Sequence, residues 1–467
     1  MQRIAPLSCL VAAILAGCVL LDPTDPYQHV PSRPRPRPHA VVTSQPAGCL
    51  DKPLTLDQAV AIAIENNPEI AASRWDVETA SARRSIAFGE ALPSFHAVGG
   101  YSHTIIPQRL TPVVTPGEAG VGTRDIFSGD LVLSMPLFTG GRILSRIKAA
   151  ELVELAAEHQ LARTHEELVF NVSSVFFTIL AQEHVVASLA FSISTLERHV
   201  HQVEDLIGQG KAAKVDLLRT QVRLADLTQK KAQASGTLAI HHRVLANLMG
   251  VDDQYETLHV KGRLSVDSEA EMADVETFVA QAWDNRDDYL AARAALEAQA
   301  RNLDAARAGH WPTVAFRGSY GGRWAVNPTT QPAGARMSEE VGQLGVVMDI
   351  PVFDGGRIDA QRREERSKLN AAMERLRKLQ LQIRLEVEMA VVTMKTAHQR
   401  VKATEAAIQQ AEESLRIERE KYELGKGAIV DVLDAQSALL ESQTSYYQAM
   451  ADYNVALAQL NLAIGEP

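Results

Sequence analysis

MPLFTGGR, from Met135 to Arg142, returns as IPVFDGGR from Ile350 to Arg357, and the second copy begins 215 positions after the first. The same distance separates GKAAKVDLLRTQ, from Gly210, and GKGAIVDVLDAQ, from Gly425. Two motifs that recur at one fixed spacing indicate a duplicated structural unit. After its N-terminal segment, the chain therefore divides into repeat 1 (53–250), a connector (251–272) and repeat 2 (273–467).

Between the repeated motifs lie two stretches that contain neither Gly nor Pro, Arg142–Ile207 and Arg357–Leu424. Each can form one helix, which at 1.5 Å rise per residue would be roughly 100 Å long. So long a helix needs a long partner. Ala212–Met249 and Ile429–Ile464 supply one, because both are helix-forming in composition and place apolar residues at an approximate spacing of three and four.

Before each long helix, apolar residues occupy alternate positions in two short segments. They are Phe95, Ala97, Gly99, Tyr101, Phe127, Gly129, Leu131, Leu133 and Met135 in repeat 1, and Val314, Phe316, Gly318, Tyr320, Leu344, Val346, Met348 and Ile350 in repeat 2. This period of two predicts a half-buried strand, or a transmembrane barrel strand with an apolar lipid face and a polar lumen face. Four strands cannot close a barrel, since the smallest need about eight, so a barrel would require several copies of the chain.

The repeated motif marks the change from strand to helix. Proline lacks a donor for the strand ladder and glycine permits a sharp turn, so we predict that the strand ends at the proline and turns at the glycines. The residues of these turns are Pro136, Gly140 and Gly141 in repeat 1, and Pro351, Gly355 and Gly356 in repeat 2. Ile105–Arg124 and Ala325–Glu340, which are rich in Pro, Gly and Thr, are predicted to be exposed loops.

The N-terminus predicts export and a lipid anchor. An apolar run ends in Leu15-Ala16-Gly17-Cys18, which resembles the bacterial lipobox. Residues 1–17 would then be a lipoprotein signal peptide, Cys18 would carry a covalent lipid, and 18–52 would be a Pro- and Arg-rich tether. The alternative is an ordinary signal peptide, in which case a disulfide between Cys18 and Cys49 is possible.

Composition and motifs argue against several other functions. A net charge of −10 argues against a nucleic-acid-binding surface. The sequence yields no convincing catalytic triad, acid pair or nucleotide loop, so no enzyme is predicted. The pairs His199/His201 and His241/His242 lack helical ligand spacing, so no metal site is predicted. No uninterrupted run of 18 apolar residues occurs, which leaves strands as the expected means of entering a membrane.

Taken together, several motifs resemble the TolC-type outer-membrane efflux proteins, and in particular their lipoprotein branch, similar to NodT and OprM. They are the lipobox, LTLDQAVAIAIENNPEI from Leu54, the two copies of PxFxGGR, and YELGKGAIVDVLDAQ from Tyr422. The resemblance implies an α+β membrane protein with an internal duplication. It also implies a homotrimer, in which each chain gives four strands to a twelve-stranded outer-membrane β-barrel and long helices to a periplasmic α-helical barrel.

The resemblance further implies a passive conduit without cofactors other than the lipid on Cys18. An inner-membrane RND or ABC transporter and a periplasmic adaptor would deliver the substrate, and outer-membrane lipid would surround the barrel. The turns that would dock the adaptor contain Gly210, Lys211, Asp216, Gly425 and Lys426.

The resemblance places a periplasmic gate at Asp431, Asp434 and Tyr422. A ring of carboxylates would attract cations and bind multivalent ones. Asp431 has a second interpretation as an acid that favours a helix N-terminus, because Asp216 occupies the same position in repeat 1. The family pattern has an arginine five residues after the tyrosine, where this chain has Gly427, which puts the usual closed-state lock in doubt.

Two other classes of protein remain as alternatives. A periplasmic adaptor would have one helical hairpin flanked by lipoyl-like and β-barrel domains, and the two strand pairs argue against it. A cytoplasmic coiled-coil scaffold would need neither a lipobox nor alternating strands. The favoured interpretation is therefore an outer-membrane channel of a tripartite efflux or type I secretion system that extends into the periplasm.

Overall fold

The computed structural model of the chain describes residues 53–110, 121–210, 213–251, 258–266, 274–331 and 336–466. The predicted signal peptide, Cys18, Cys49 and the tether lie outside these residues, as does Lys211.

The described elements follow the duplicated order. In repeat 1 they are α1 (Leu56–Asn66), α2 (Pro68–Gly89), β1 (Ser94–Arg109), β2 (Gly122–Phe138), α3 (Arg142–Gly208) and α4 (Lys214–Leu248). In repeat 2 they are α5 (Val275–Asn285), α6 (Asp287–Arg307), β3 (Thr313–Thr330), β4 (Ser338–Asp349), α7 (Arg357–Glu423) and α8 (Ile429–Ile464), with a short 3₁₀ turn at Ala308–His310. The long helices α3 and α7 both have 67 residues, which confirms the two uninterrupted helices that the sequence predicts.

In each repeat the helical segment before the strands is broken in two, and the residue at the break caps the last helix of the same repeat. Asn67 Nδ2 donates to the carbonyl oxygen of Leu248 at 2.8 Å. Arg286 Nη1 donates to the carbonyl oxygen of Ala463 at 3.3 Å. These bonds satisfy carbonyl groups that a helix C-terminus leaves without an intrahelical partner. The fully buried Arg286 also forms ion pairs with Asp288 and Glu386, which compensate its charge.

The four strands form one antiparallel sheet in the order β1-β2-β3-β4. The register places the predicted apolar positions opposite one another, as in Tyr101↔Phe127 and Leu131↔Tyr320. Cross-strand partners share a face of a sheet. The prediction that one face is apolar and the other polar is therefore confirmed for all four strands.

The strands run further than predicted into the segments assigned as loops. β1 continues to Arg109, and β3 continues to Thr330. Thr123 Oγ1 donates to the carbonyl oxygen of Val326 at 3.0 Å, and Leu110 packs with Val121 in a small apolar cluster. These contacts extend the pairing beyond the region of strict alternation, which is the signal that the sequence offers.

Three clusters of buried side chains hold the helices together. One lies within repeat 1 and contains Phe176 of α3, and one lies within repeat 2 and contains Ile383 of α7. The third joins the repeats, with Leu196 of α3 against Leu433 of α8. Among the described residues α3 alone is long and apolar enough to cross a membrane by length and composition, with a mean hydropathy of 1.5 over 18 residues. Its apolar side chains supply two of these clusters.

The turns from strand to helix are built alike in the two repeats. Gly140 and Gly141 have φ of +62° and +86°, and Gly355 and Gly356 have φ of +71° and +81°, all in the left-handed region that favours glycine. The sequence prediction of sharp glycine turns is confirmed.

The predicted strand end at the proline is correct only for Pro351, since β4 ends at Asp349. It is wrong for Pro136, which pairs with Ala315 inside β2. The strand continues to Phe138, and its pairing with β3 is irregular between Pro136 and Phe138. A strand tolerates proline at such an irregularity.

The variable residue of the motif caps the following helix, a role that the sequence analysis missed. Asp354 accepts hydrogen bonds from the backbone N–H groups of Gly356 at 3.0 Å and Ile358 at 2.7 Å. At the same position in repeat 1, Thr139 Oγ1 accepts from the backbone N–H of Ile143 at 3.4 Å. Both are side-chain caps of a helix N-terminus, one charged and one neutral.

Gly140→Ala should destabilise the protein more than Gly355→Ala. Both substitutions put a Cβ on a left-handed residue, at a cost of about 1–2 kcal/mol. A Cβ at Gly140 would also lie 2.4 Å from Trp311 Cβ, whereas nothing lies within 4 Å of one at Gly355. Thermal unfolding of the purified proteins measures the difference, and equal losses of Tm would contradict this account of the turn.

Asp354→Ala should lower stability in a pH-dependent way. The hydrogen bond from Ile358 is the largest cause that holds the pKa of Asp354 below its ordinary value. The stabilisation is therefore fully present above the ordinary Asp pKa of about 4 and is lost as the pH falls through the lower folded pKa. Thr139→Ala is the matched control, because its cap carries no charge and its Tm loss should not change with pH. A constant loss for Asp354→Ala would rule out the charged cap.

Candidate functional site

Two turns bring the ends of the long helices together in a region that we call the tip, formed by the described residues of 207–216 and 422–434. Gly210 and Gly425 occupy equivalent left-handed positions with φ of +71° and +70°. Their N–H groups donate to the carbonyl oxygens of Ile207 and Tyr422, each at 2.9 Å. The described parts of the two turns, which the resemblance implies would dock an adaptor, therefore share this glycine geometry.

Tyr422 is a half-buried residue of the tip. Its ring meets that of His199 of α3 edge-on, with the ring centroids 5.8 Å apart. Burial raises the pKa of the Tyr422 hydroxyl, and the Asp216 carboxylate raises it further. Burial also lowers the pKa of His199. Both rings are consequently neutral near pH 7, and Tyr422 packs against the apolar cluster that joins the repeats.

Asp431 and Asp434 are exposed and lie one turn apart at the start of α8. The Asp431 carboxylate accepts a hydrogen bond from the backbone N–H of Ala428 at 3.3 Å. Asp216 stands at the same position of α4, the third residue of the helix. The geometry supports the interpretation of Asp431 as a helix-capping acid, and its exposure leaves the carboxylate able to attract cations as well.

Gly427 stands where the resemblance implies an arginine. A Cβ at this position would lie 3.1 Å from Lys421 Cβ and 3.2 Å from the backbone nitrogen of Tyr422. A side chain could enter only if the turn shifted by a few tenths of an ångström. The turn is thus shaped around glycine, and Lys426 beside it is exposed.

The sequence analysis missed a polar contact that joins the repeats near the tip. Arg223 of α4 donates to Ser437 of α8 and forms an ion pair with Asp226 at 3.0 Å. Arg223 and Ser437 lie on different helices and belong to no motif, so only the tertiary structure reveals their contact. The bond between Arg223 and Ser437 links the N-terminal parts of α4 and α8 beside the apolar cluster that joins the repeats.

The apolar face of the sheet has a polar border at one end. Tyr101 donates its hydroxyl to Asp125 at 2.7 Å, and Tyr320 donates to Glu340 at 2.8 Å, so the two repeats form equivalent pairs. At the other end, next to the helices, Phe353 is 89% exposed. Aromatic residues at both borders of an apolar band are typical of transmembrane barrels.

The opposite face carries an ion pair between neighbouring strands. Arg323 of β3 forms an ion pair with Asp130 of β2 at 2.8 Å. A polar, ion-paired face behind an apolar, exposed one is the arrangement of a barrel strand whose inner side meets water. Among the described residues, no group of three or more His, Cys, Asp and Glu side chains is arranged to hold a metal ion.

Comparisons with known proteins agree with this geometry. The sequence matches the family described as Outer membrane efflux protein at residues 59–251 and 278–466, which correspond to the two repeats. The chain is 26% identical over 390 residues to the outer membrane protein OprJ of Pseudomonas aeruginosa, with 82% of this chain and 78% of that protein covered. It is 22% identical over 351 residues to the outer membrane protein TolC of Vibrio cholerae serotype O1, with coverages of 74% and 79%.

The fold also matches solved structures. The outer membrane protein VceC from Vibrio cholerae superposes with a TM-score of 0.75 at 18% identity, over 88% of this chain and 96% of that chain. A likeness at this identity concerns the fold, whereas the family match rests on sequence over both repeats. The chain belongs to the outer membrane efflux protein family.

Proposed function

We propose that this protein is the outer-membrane channel of a tripartite export system and conducts its substrates passively. The observation that carries the proposal is the sheet with one apolar and one polar face, continued directly into helices of 67 residues. Such a chain can place its strands in the outer membrane and extend helices about 100 Å into the periplasm. Family membership supports the same function.

The active unit is a homotrimer. In one chain, β1 and β4 are the outer strands of the described sheet, each with a single neighbour. Within a bilayer every backbone donor and acceptor must be paired, so β4 of one copy pairs with β1 of the next. Three chains with four strands each close a twelve-stranded barrel, which is the arrangement that the resemblance implies.

The remaining parts follow from this assignment. Residues 1–17 direct export, Cys18 carries the lipid, and 18–52 link it to repeat 1 (53–250), with the connector (251–272) and repeat 2 (273–467) after it. A periplasmic adaptor docks at the tip and joins the channel to an inner-membrane RND or ABC transporter. The protein needs no cofactor besides the lipid, performs no catalysis and binds no nucleic acid.

Both alternatives are less consistent with these findings. An adaptor would have one helical hairpin, whereas this chain has α3 with α4 and α7 with α8. A cytoplasmic scaffold would have no use for exposed apolar strand faces, which water disfavours. The family match favours the channel over both.

Transport is controlled at the tip. Threefold symmetry would bring the exposed Asp431 and Asp434 carboxylates of three chains around one opening. Their combined negative potential attracts cations and holds multivalent ones, which obstruct the passage. Tyr422 stabilises the closed tip through its contact with His199.

Asp431→Asn with Asp434→Asn should weaken the block of single-channel current by divalent cations, by roughly tenfold or more in the blocking concentration. Asparagine keeps an oxygen that can accept from Ala428, so the helix cap survives while the charge is lost. Planar-bilayer recordings of the lipidated trimer measure the block.

Glu412→Ala is the control, because this exposed acid lies on α7 away from the tip turns. It should leave the block unchanged. An unaltered block in the Asp431/Asp434 variant would place the cation site elsewhere, and an intact trimer that never conducts would refute the channel function.

A further inference from the structure

A cavity of about 700 Å³ lies where the sheet meets the helices. This volume falls within the roughly 300–1,000 Å³ that is usual for a small-solute site. The cavity lies among the start of α3, the end of α6, the start of α7, the first residue of β3 and the last residue of β4. Thr313 and Asp349, which line it, are cross-strand partners. They alternate with the apolar pair Val314↔Met348, so they belong to the polar face of the sheet. In the proposed channel that face meets the lumen.

Four basic side chains line this cavity, and two of them come from the duplicated motif. They are Arg142 and Arg357, the last residues of the two GGR sequences, together with Arg146 and Lys368. The strand-to-helix turns fix both motif arginines at the first position of a long helix. The repeat thus delivers two guanidinium groups to one site, although they are far apart in sequence.

The basic groups differ in how far acids neutralise them. Lys368 contacts Glu364 at 2.8 Å and Glu365 at 2.7 Å, and both of these acids also line the cavity. Arg146 forms an ion pair with Glu90 at 3.1 Å. These two cations therefore have carboxylate partners and add little net charge.

The two motif arginines have no ion pair with any described residue within 4.0 Å. Nε of Arg142 is buried and lacks a hydrogen-bond partner among the described groups. Arg357 is exposed, and its charge contributes to lowering the pKa of the Asp354 carboxyl. A buried donor without a partner is costly, and a ligand that accepts from it recovers that cost. The remaining acid of the cavity is Asp349, for which no described basic partner lies in contact.

We propose that this cavity binds a small oxyanion-bearing solute, a carboxylate or phosphate compound, as it passes through the channel. Guanidinium groups hold such oxyanions through paired, charge-assisted hydrogen bonds. The site is complete within one chain, so the trimer contains one in each subunit. The inference rests on the proposed function, because the polar face is luminal only in a channel. It gives the cargo a chemical class: solutes with an anionic group.

The test is isothermal titration calorimetry of the purified, lipidated full-length trimer with pyrophosphate, at low ionic strength and without divalent cations. Arg142→Gln with Arg357→Gln should weaken binding at least about tenfold. Asp349→Asn should tighten it, since it removes a repelling carboxylate. Arg375→Gln should bind like the wild type, because this exposed arginine lies about 27 Å farther along α7 at 1.5 Å per residue.

Absence of pyrophosphate binding to the wild type would overturn the inference, as would equal binding by the double variant or equal loss in Arg375→Gln. If the double variant does not form trimers, Arg142→Lys with Arg357→Lys replaces it. That variant keeps the charge and loses the planar fork, so weaker binding is again expected.

Bilayer recordings of the same preparations separate the inference from the proposed function. Conductance without pyrophosphate binding would refute the anion site alone. Binding without conductance would refute the channel and the luminal position of the site. The anion site would be established within the conducting path if the protein both binds pyrophosphate and conducts, and if pyrophosphate interrupts the current of the wild type but not of the double variant.

Discussion

The unpaired edges of a four-stranded sheet are the constraint on which the rest of this structure depends. A sheet in a bilayer can leave no backbone group without a partner, and the sheet of one chain has two outer strands. Closure by further copies satisfies that requirement and creates an enclosed polar face at the same time. The long helices are arranged around the same axis as the strands, because α3 and α7 begin shortly after β2 and β4 end. The membrane requirement of the strands thus determines that the helices surround a shared passage.

Duplication supplies a common backbone with different chemistry at matching positions. The turn of repeat 1 uses Thr139 where that of repeat 2 uses Asp354, and both cap a helix. At the breaks between short helices, Asn67 and Arg286 each reach the last turn of a distant helix. Hydrogen bonds from side chains to these helix ends occur in both halves, because a helix end leaves backbone groups without an intrahelical partner in any sequence. The charge of the side chain that supplies them is free to differ, as it does between Thr139 and Asp354.

The charges along the proposed passage are not uniform. Exposed carboxylates lie at the tip, at Asp431 and Asp434, whereas arginines line the cavity where barrel and helices meet. Exposed charges in water act over a Debye length of about 8 Å at physiological ionic strength, so each group affects only a solute that passes close to it. In the proposed channel a solute would therefore meet regions of opposite charge in turn.

The sequence by itself determined the duplication, the lengths of α3 and α7, the two faces of the strands and the glycine turns. These features depend on local periodicity and on backbone freedom, which are readable within a few residues. Only the tertiary structure decided the bond from Asn67 to Leu248, the burial of Arg286, the passage of β2 through Pro136, and the placement of Arg142 and Arg357 around one cavity. The partner of Asn67 lies 181 residues away, and no local pattern encodes such a contact. Long-range contacts depend on how the packed helices and strands align, which follows from the whole chain at once.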